Sequence, residues 1–201
     1  MTRIIAGVAG GRRLSVPPAG TRPTSDRVRE ALFSALDSEW RASGVTWSQL
    51  PVLDLYAGSG ALGLEALSRG APEAVLVEKS RAAARVLAAN VAAVGCAGAV
   101  VLTRDARQLA QTPPVASPAG LVFADPPYDV SAADVGGVLA DLVTAGWIAD
   151  DAMIVVERPA RDDATPLPAG WREVRRRAYG DTALWYGRSA SDFLPDGEEP
   201  D

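Results

Sequence analysis

Residues 52–63 read Val-Leu-Asp-Leu-Tyr-Ala-Gly-Ser-Gly-Ala-Leu-Gly, an apolar strand that runs into a glycine-rich turn and on into a helix. Glycine at 58 and 60 permits a tight turn and close approach of a ligand to the backbone, and Gly63 lets the helix lie near the strand. Twenty residues beyond Gly58, at the end of the next apolar run, stands Glu78. An acid at that offset can accept hydrogen bonds from both hydroxyls of a ribose and would repel a 2′-phosphate. The stretch predicts a parallel α/β sheet with an adenosine-type nucleoside at the carboxyl ends of its strands. Taken alone, Gly-x-Gly-x-x-Gly is also compatible with a purely structural turn, so the flanking pattern has to decide.

That pattern alternates. Strands are expected at 52–56, 74–78, 99–103, 121–125 and 153–157, with helices at 61–69, 81–94 and near 133–145 between them. Strand and helix in turn mean a sheet covered on both faces. Two further runs, 171–178 and 182–188, are joined by Tyr179, Gly180 and Asp181 and read as a hairpin that adds an antiparallel strand at the sheet edge. Ahead of the alternating region, 3–8 and 12–16 read as a hairpin arm. Thr24, Ser25 and Asp26 then supply capping side chains for a helix over 26–40. The domain reading is an extension over 1–20, a catalytic domain over 21–190 and an acidic, disordered tail over 191–201.

NAD and S-adenosylmethionine both fit the nucleoside signal. Three features favour S-adenosylmethionine: Asp54 inside the strand end, where an acid can meet a ligand ammonium; Asp105 after the third strand, in reach of an adenine amine; and the closing hairpin. The chain has no histidine, which removes a dehydrogenase's proton relay, Ser-His-Asp catalysis and most zinc chemistry. Cys96 is the only cysteine, so internal disulfides and multi-cysteine metal sites are excluded; no metal is expected. No apolar run reaches the roughly 20 residues of a membrane span. A cytoplasmic, membrane-free monomer is the expectation.

A second constellation follows the fourth strand. Phe123 and Ala124 lead into Asp125, Pro126, Pro127 and Tyr128. Prolines lock φ and donate nothing, so the turn is stiff. In a doubly wound sheet it projects into the ligand crevice. An exocyclic amine on a nucleobase is a poor nucleophile because its lone pair is delocalised. Two acceptors on its N–H bonds, the Asp125 carboxylate and the Pro126 carbonyl, favour a more tetrahedral nitrogen, and Tyr128 can stack on a base drawn from its own stack. No strong base is needed, since the amine becomes acidic only as it is alkylated.

Charge distribution adds a polyanion. The net charge is −5, yet residues 1–30 carry +4 and the remainder −9. Arg3, Arg12, Arg13, Arg22, Arg27 and Arg29 are therefore candidate RNA contacts, together with Tyr128.

The segments Arg22-Pro-Thr-Ser-Asp-Arg-Val-Arg-Glu30, Asp54 to Gly70 and Asp125-Pro-Pro-Tyr128 resemble, in order and spacing, the bacterial RsmD-type 16S rRNA guanine-N2 methyltransferases. The resemblance runs from Arg3 to about Arg188. It implies a class I methyltransferase, Rossmann-like, with a seven-stranded mostly parallel sheet, a C-terminal antiparallel strand and an N-terminal β-hairpin arm. It also implies methylation of one guanine, position 966 in the conventional rRNA numbering, within a 30S subunit or late assembly particle. Asp125, Pro126 and Tyr128 are then catalytic. Asp54, Ala57, Gly58, Ser59, Gly60, Gly63, Glu78, Lys79, Asp105, Ala106 and Asp125 line the S-adenosylmethionine site. The family often has Phe at the place of Tyr128, which makes the ring the working part. A DNA adenine-N6 methyltransferase shares both constellations and stays open as the alternative, as does a non-catalytic RNA-binding assembly factor.

Overall fold

The computed structural model describes residues 2–17 and 25–190. In chain order its elements are β1 (Thr2–Arg3), β2 (Arg13–Leu14), α1 (Asp26–Ser43), β3 (Val52–Leu55), α2 (Ala61–Arg69), β4 (Ala74–Val77), α3 (Arg81–Val94), β5 (Ala99–Leu102), β6 (Ala119–Ala124), α4 (Ala132–Thr144), β7 (Ile148–Pro159), β8 (Arg172–Tyr179) and β9 (Thr182–Arg188). Serine side chains start three of the helices: Ser25, Ser80 and Ser131 accept from the backbone N–H groups of Val28, Ala83 and Asp134.

Seven strands form one sheet in the order β5-β4-β3-β6-β7-β9-β8. The first five are parallel neighbours, and β9 alone runs the other way, between β7 and β8. The expected hairpin thus closes the sheet, its reversed strand lying one place in from the edge. Strand alternation sends Leu121 and Phe123 into a core with α1, α2 and α3, and Val122 and Ala124 into a second core under α4. With helices on both faces of its parallel part, the sheet gathers the carboxyl ends of β3, β4 and β6 along one edge.

The expected hairpin arm is present, with strands shorter than the runs read from the sequence. Its ladder is Thr2↔Leu14 and Arg3↔Arg13. The pairing continues through the Ile4 N–H on the Arg12 carbonyl and the Gly11 N–H on the Ile4 carbonyl (both 2.8 Å), and the backbone between them also bonds to α2. Glu65, fully buried, accepts from the N–H groups of Ile5 (2.5 Å) and Ala6 (3.0 Å). Ser68 accepts from Val8 through its carbonyl (2.8 Å) and from Ala9 through its hydroxyl (2.9 Å). Gly7 is required there, since a Cβ would lie 1.8 Å from the Ser68 carbonyl oxygen, and its φ is +80°. Ile4, Ala9 and Leu14 are buried in the first core. The arm is part of the folded domain. Buried Asn90 ties it further, accepting from the Ser15 N–H (2.9 Å) and donating to the carbonyls of Ser15 and Ser59 (both 2.8 Å).

Two arginines expected on RNA have other work. Arg29 is fully buried and donates to the Arg3 carbonyl (2.8 Å) and to Asp26 (2.6 Å), so it is withdrawn from the surface. Arg12 donates to the carbonyls of Ala93 and Val94, capping α3 at the negative end of its dipole. Arg3, Arg13 and Arg27 are exposed. Arg22 and the acidic tail lie outside the described residues. No helix among the described residues is long and apolar enough to cross a membrane.

Candidate active site

From β3 the chain turns at Tyr56, whose φ of 64° is left-handed without the freedom of glycine. The turn is held by the Ala57 N–H on the Val77 carbonyl (2.8 Å) and the Gly60 N–H on the Ala57 carbonyl (2.7 Å). Around the Cβ position of Gly58 the nearest atom is the Tyr56 carbonyl oxygen at 3.9 Å, so one side of the loop is open. Glu78 fastens that loop to the end of β4: one oxygen accepts from the Gly58 N–H (3.0 Å), the other from the Ser80 N–H (2.7 Å). A carboxylate has about four acceptor sites, which leaves capacity for two ribose hydroxyls.

The other glycines serve packing. A Cβ on Gly60 would meet Leu87 at 2.4 Å, and one on Gly63 would meet Leu76 at 2.2 Å. Gly63, expected at the cofactor, is inside the α2–sheet contact and donates its N–H to Asp54 (2.9 Å). Ser59 and Ala57 are likewise buried, in the wall of the loop. Asp54 is 2 % exposed, and burial, with Glu78 adding repulsion against the help of Gly63, pushes its carboxyl up to about 7. An ammonium beside it would relieve that cost. This donor set fits an amino acid's charged nitrogen.

Asp105 caps the 3-10 turn Ala106–Gln111, opened by buried Ala106, and its pair with Arg107 (2.8 Å) holds its carboxyl below the usual range. Lys79 is exposed beside Glu78. Tyr56, which the sequence reading missed, buries a hydroxyl that has no hydrogen-bond partner, and burial followed by Asp105 raises its pKa. Its only signal is the backbone angle, which sequence does not print.

β6 sits between β3 and β7, with Ala124 beside both Leu55 and Val156. The Asp-Pro-Pro-Tyr turn therefore leaves the centre of the sheet next to the glycine loop. It forms one wall of a cavity of about 270 Å³, whose other wall is Glu157, Arg158, Pro159, Asp181 and Thr182. Pro126 is buried, Asp125 half-buried, and Tyr128 is 70 % exposed at the mouth. The second wall had no signature in the sequence.

A family model, conserved hypothetical protein 95, matches residues 2–188. The "Ribosomal RNA small subunit methyltransferase D" of Escherichia coli K12 is 40% identical over 187 residues, covering 90% of this chain and 86% of its own. The protein of that name from Haemophilus influenzae is 33% identical over 181 residues, covering 89% of each. The chain belongs to the RsmD family. Among solved structures, the methyltransferase candidate yhhF of Escherichia coli superposes with a TM-score of 0.77 at 34% identity, over 95% of this chain and 99% of that one. The class I fold expected for the family is the fold observed. Its cofactor is S-adenosylmethionine.

Proposed function

We propose that the protein methylates the N2 amine of a guanine in small-subunit rRNA, position 966 of 16S rRNA in a 30S subunit or late assembly particle, and that it acts as a monomer. The observation that carries the reading is the Asp-Pro-Pro-Tyr turn, which leaves β6 beside the end of β3 where the glycine loop starts and lines a cavity on its other side. The names of the relatives supply the RNA.

Glu78 would hold the ribose, Asp54 the ammonium and Asp105 the adenine amine of the cofactor. Bound S-adenosylmethionine supplies an electrophilic methyl on a positively charged sulfur. The chain's own part is placement. The Asp125 carboxylate and Pro126 carbonyl accept the two N–H bonds of the amine and aim its lone pair into the crevice. The exposed Tyr128 ring covers one face of the flipped base, which replaces part of the stacking lost on extrusion. Arg3, Arg13 and Arg27 offer phosphate contacts, as does exposed Arg177 on β8. Its neighbours Arg175 and Arg176 are paired with Glu39 and Asp163.

The test is methyl transfer from tritiated S-adenosylmethionine to 30S particles and to naked 16S rRNA, both from cells lacking the modification, followed by nucleoside analysis. N2-methylguanosine is the expected product. Methyladenosine in the RNA would overturn the guanine assignment, and transfer to adenine of added duplex DNA in place of RNA would favour the adenine-N6 alternative.

A further inference from the structure

The sheet places a second carboxylate beside the one assigned to the amine. Register between β6 and β7 runs through Leu121↔Met153, Val122↔Ile154, Phe123↔Val155 and Ala124↔Val156. One step further sets Asp125 beside Glu157, on neighbouring strands about 4.8 Å apart. Alternation turns both to the side of Phe123 and Val155. Both line the cavity. Glu157 is paired with Leu184 of β9, which fixes its backbone from that flank.

We propose that Glu157 selects guanine by accepting the N1–H hydrogen, next to the amine held by Asp125. The inference rests on the reading of the cavity as the base pocket of an amino methyltransferase. Guanine presents N1–H directly beside its amine, two donors in a row. Adenine and cytosine set a ring-nitrogen lone pair beside theirs. An acceptor-only carboxylate adjacent to Asp125 is satisfied by the first pattern and repelled by the second. Arg158, the cation of the same wall, does not reverse this. It is 5 % exposed and spends its guanidinium on Asp162 (2.6 and 2.9 Å) and the Val130 carbonyl (2.8 Å). Asp181, on the turn between β8 and β9, lines the same cavity but sits beyond the end of β7, where its carbonyl accepts from the Ala160 N–H (2.8 Å), and it is no neighbour of Asp125 in the β6–β7 register.

The discriminating substrate is 2-aminopurine, which keeps the 2-amine and replaces N1–H by a lone pair. Particles are reconstituted from 16S rRNA carrying guanine or 2-aminopurine at the target, and kcat/KM is measured for each, with 2-aminopurine fluorescence reporting extrusion of the base. The wild type should prefer guanine by roughly 100-fold or more, because a site built around a substrate N–H strongly rejects the analogue without it. Glu157→Gln can donate to the lone pair and should shrink that preference to within about tenfold, with S-adenosylmethionine affinity unchanged. Glu157→Asp, which remains an acceptor, should be slower and keep the preference, and it serves where the glutamine variant fails to bind cofactor. Equal use of both bases by the wild type overturns the inference, as does an active Glu157→Gln with wild-type preference. Loss of the preference in Asp181→Asn but not in Glu157→Gln moves the role to Asp181 and overturns it too. No transfer to N2 of the guanine particle by wild type would instead sink the underlying reading.

Discussion

Asp54→Asn should abolish most of the pH dependence of stability between about pH 4 and 7. Asp54 is buried, and its carboxyl rises from 3.8 to about 7 on folding. Between those values the unfolded chain has released the proton that the folded chain still holds. Stability therefore falls as pH rises through this window, and the whole penalty is present above about 7. At about 1.36 kcal/mol per pH unit, a rise of about three units corresponds to ~4 kcal/mol at most. Asparagine stays neutral at every pH and keeps an oxygen for the Gly63 N–H, so its stability curve should be flat where the wild type's declines. Above about pH 5 the absence of histidine makes the window unusually clean, since no other side chain has an unperturbed pKa between about 5 and 8. Urea unfolding of both proteins at about pH 5, 6, 7 and 8 is the assay. Parallel curves would refute the burial argument. The same assignment predicts that S-adenosylmethionine binds wild type more tightly as pH rises from about 5.5 to 7, where an α-ammonium stays charged, and that Asp54→Asn loses this gain.

Glu78→Ala removes a charged acceptor for two ribose hydroxyls, each such bond being worth about 1.5 to 3 kcal/mol, so calorimetry should show at least a roughly tenfold weaker S-adenosylmethionine complex; an unchanged dissociation constant would end the ribose assignment. Asp125→Ala should lower single-turnover methyl transfer by orders of magnitude while cofactor binding persists, and near-normal turnover would sink the positioning role. Tyr128→Phe should be mild. Tyr128→Ala should lose about 1 to 3 kcal/mol of stacking, read as weaker productive RNA binding, and equal behaviour of the two variants would deny the ring its part.

The parallel core was legible because its signals are local. In residues 52–94 apolar runs of four alternate with helical spacing, and the observed strands and helices fall within a residue or two of the expected ones. Glycine was legible only in part. Gly58 faces open space and Gly60 and Gly63 face leucines, yet all three satisfy the same motif, because a missing Cβ serves ligand approach and helix packing alike. The arm was legible as a hairpin but not in its docking, because the groups that capture its backbone, Glu65 and Ser68, stand about sixty residues on. Arg29 was readable and was misread. It sits three residues before Leu32 on the buried face of α1, where a charge count ignores direction. Half the pocket announced itself in Asp-Pro-Pro-Tyr. The other half comes from β7 and the β8–β9 turn, brought close by sheet order alone.

Asn90 and α2 make the first residues a poor place to cut. α2 starts at the glycine loop and receives the arm at Glu65 and Ser68, and Asn90 grips Ser15 with the same amide that holds the Ser59 carbonyl. A trimmed chain starting at residue 17 would strand the Glu65 carboxylate with Arg69 alone, uncover the pocket filled by Ile4 and Leu14, and leave Asn90 without its Ser15 partners. Shuffling this catalytic body onto a different leader would transplant an incomplete fold.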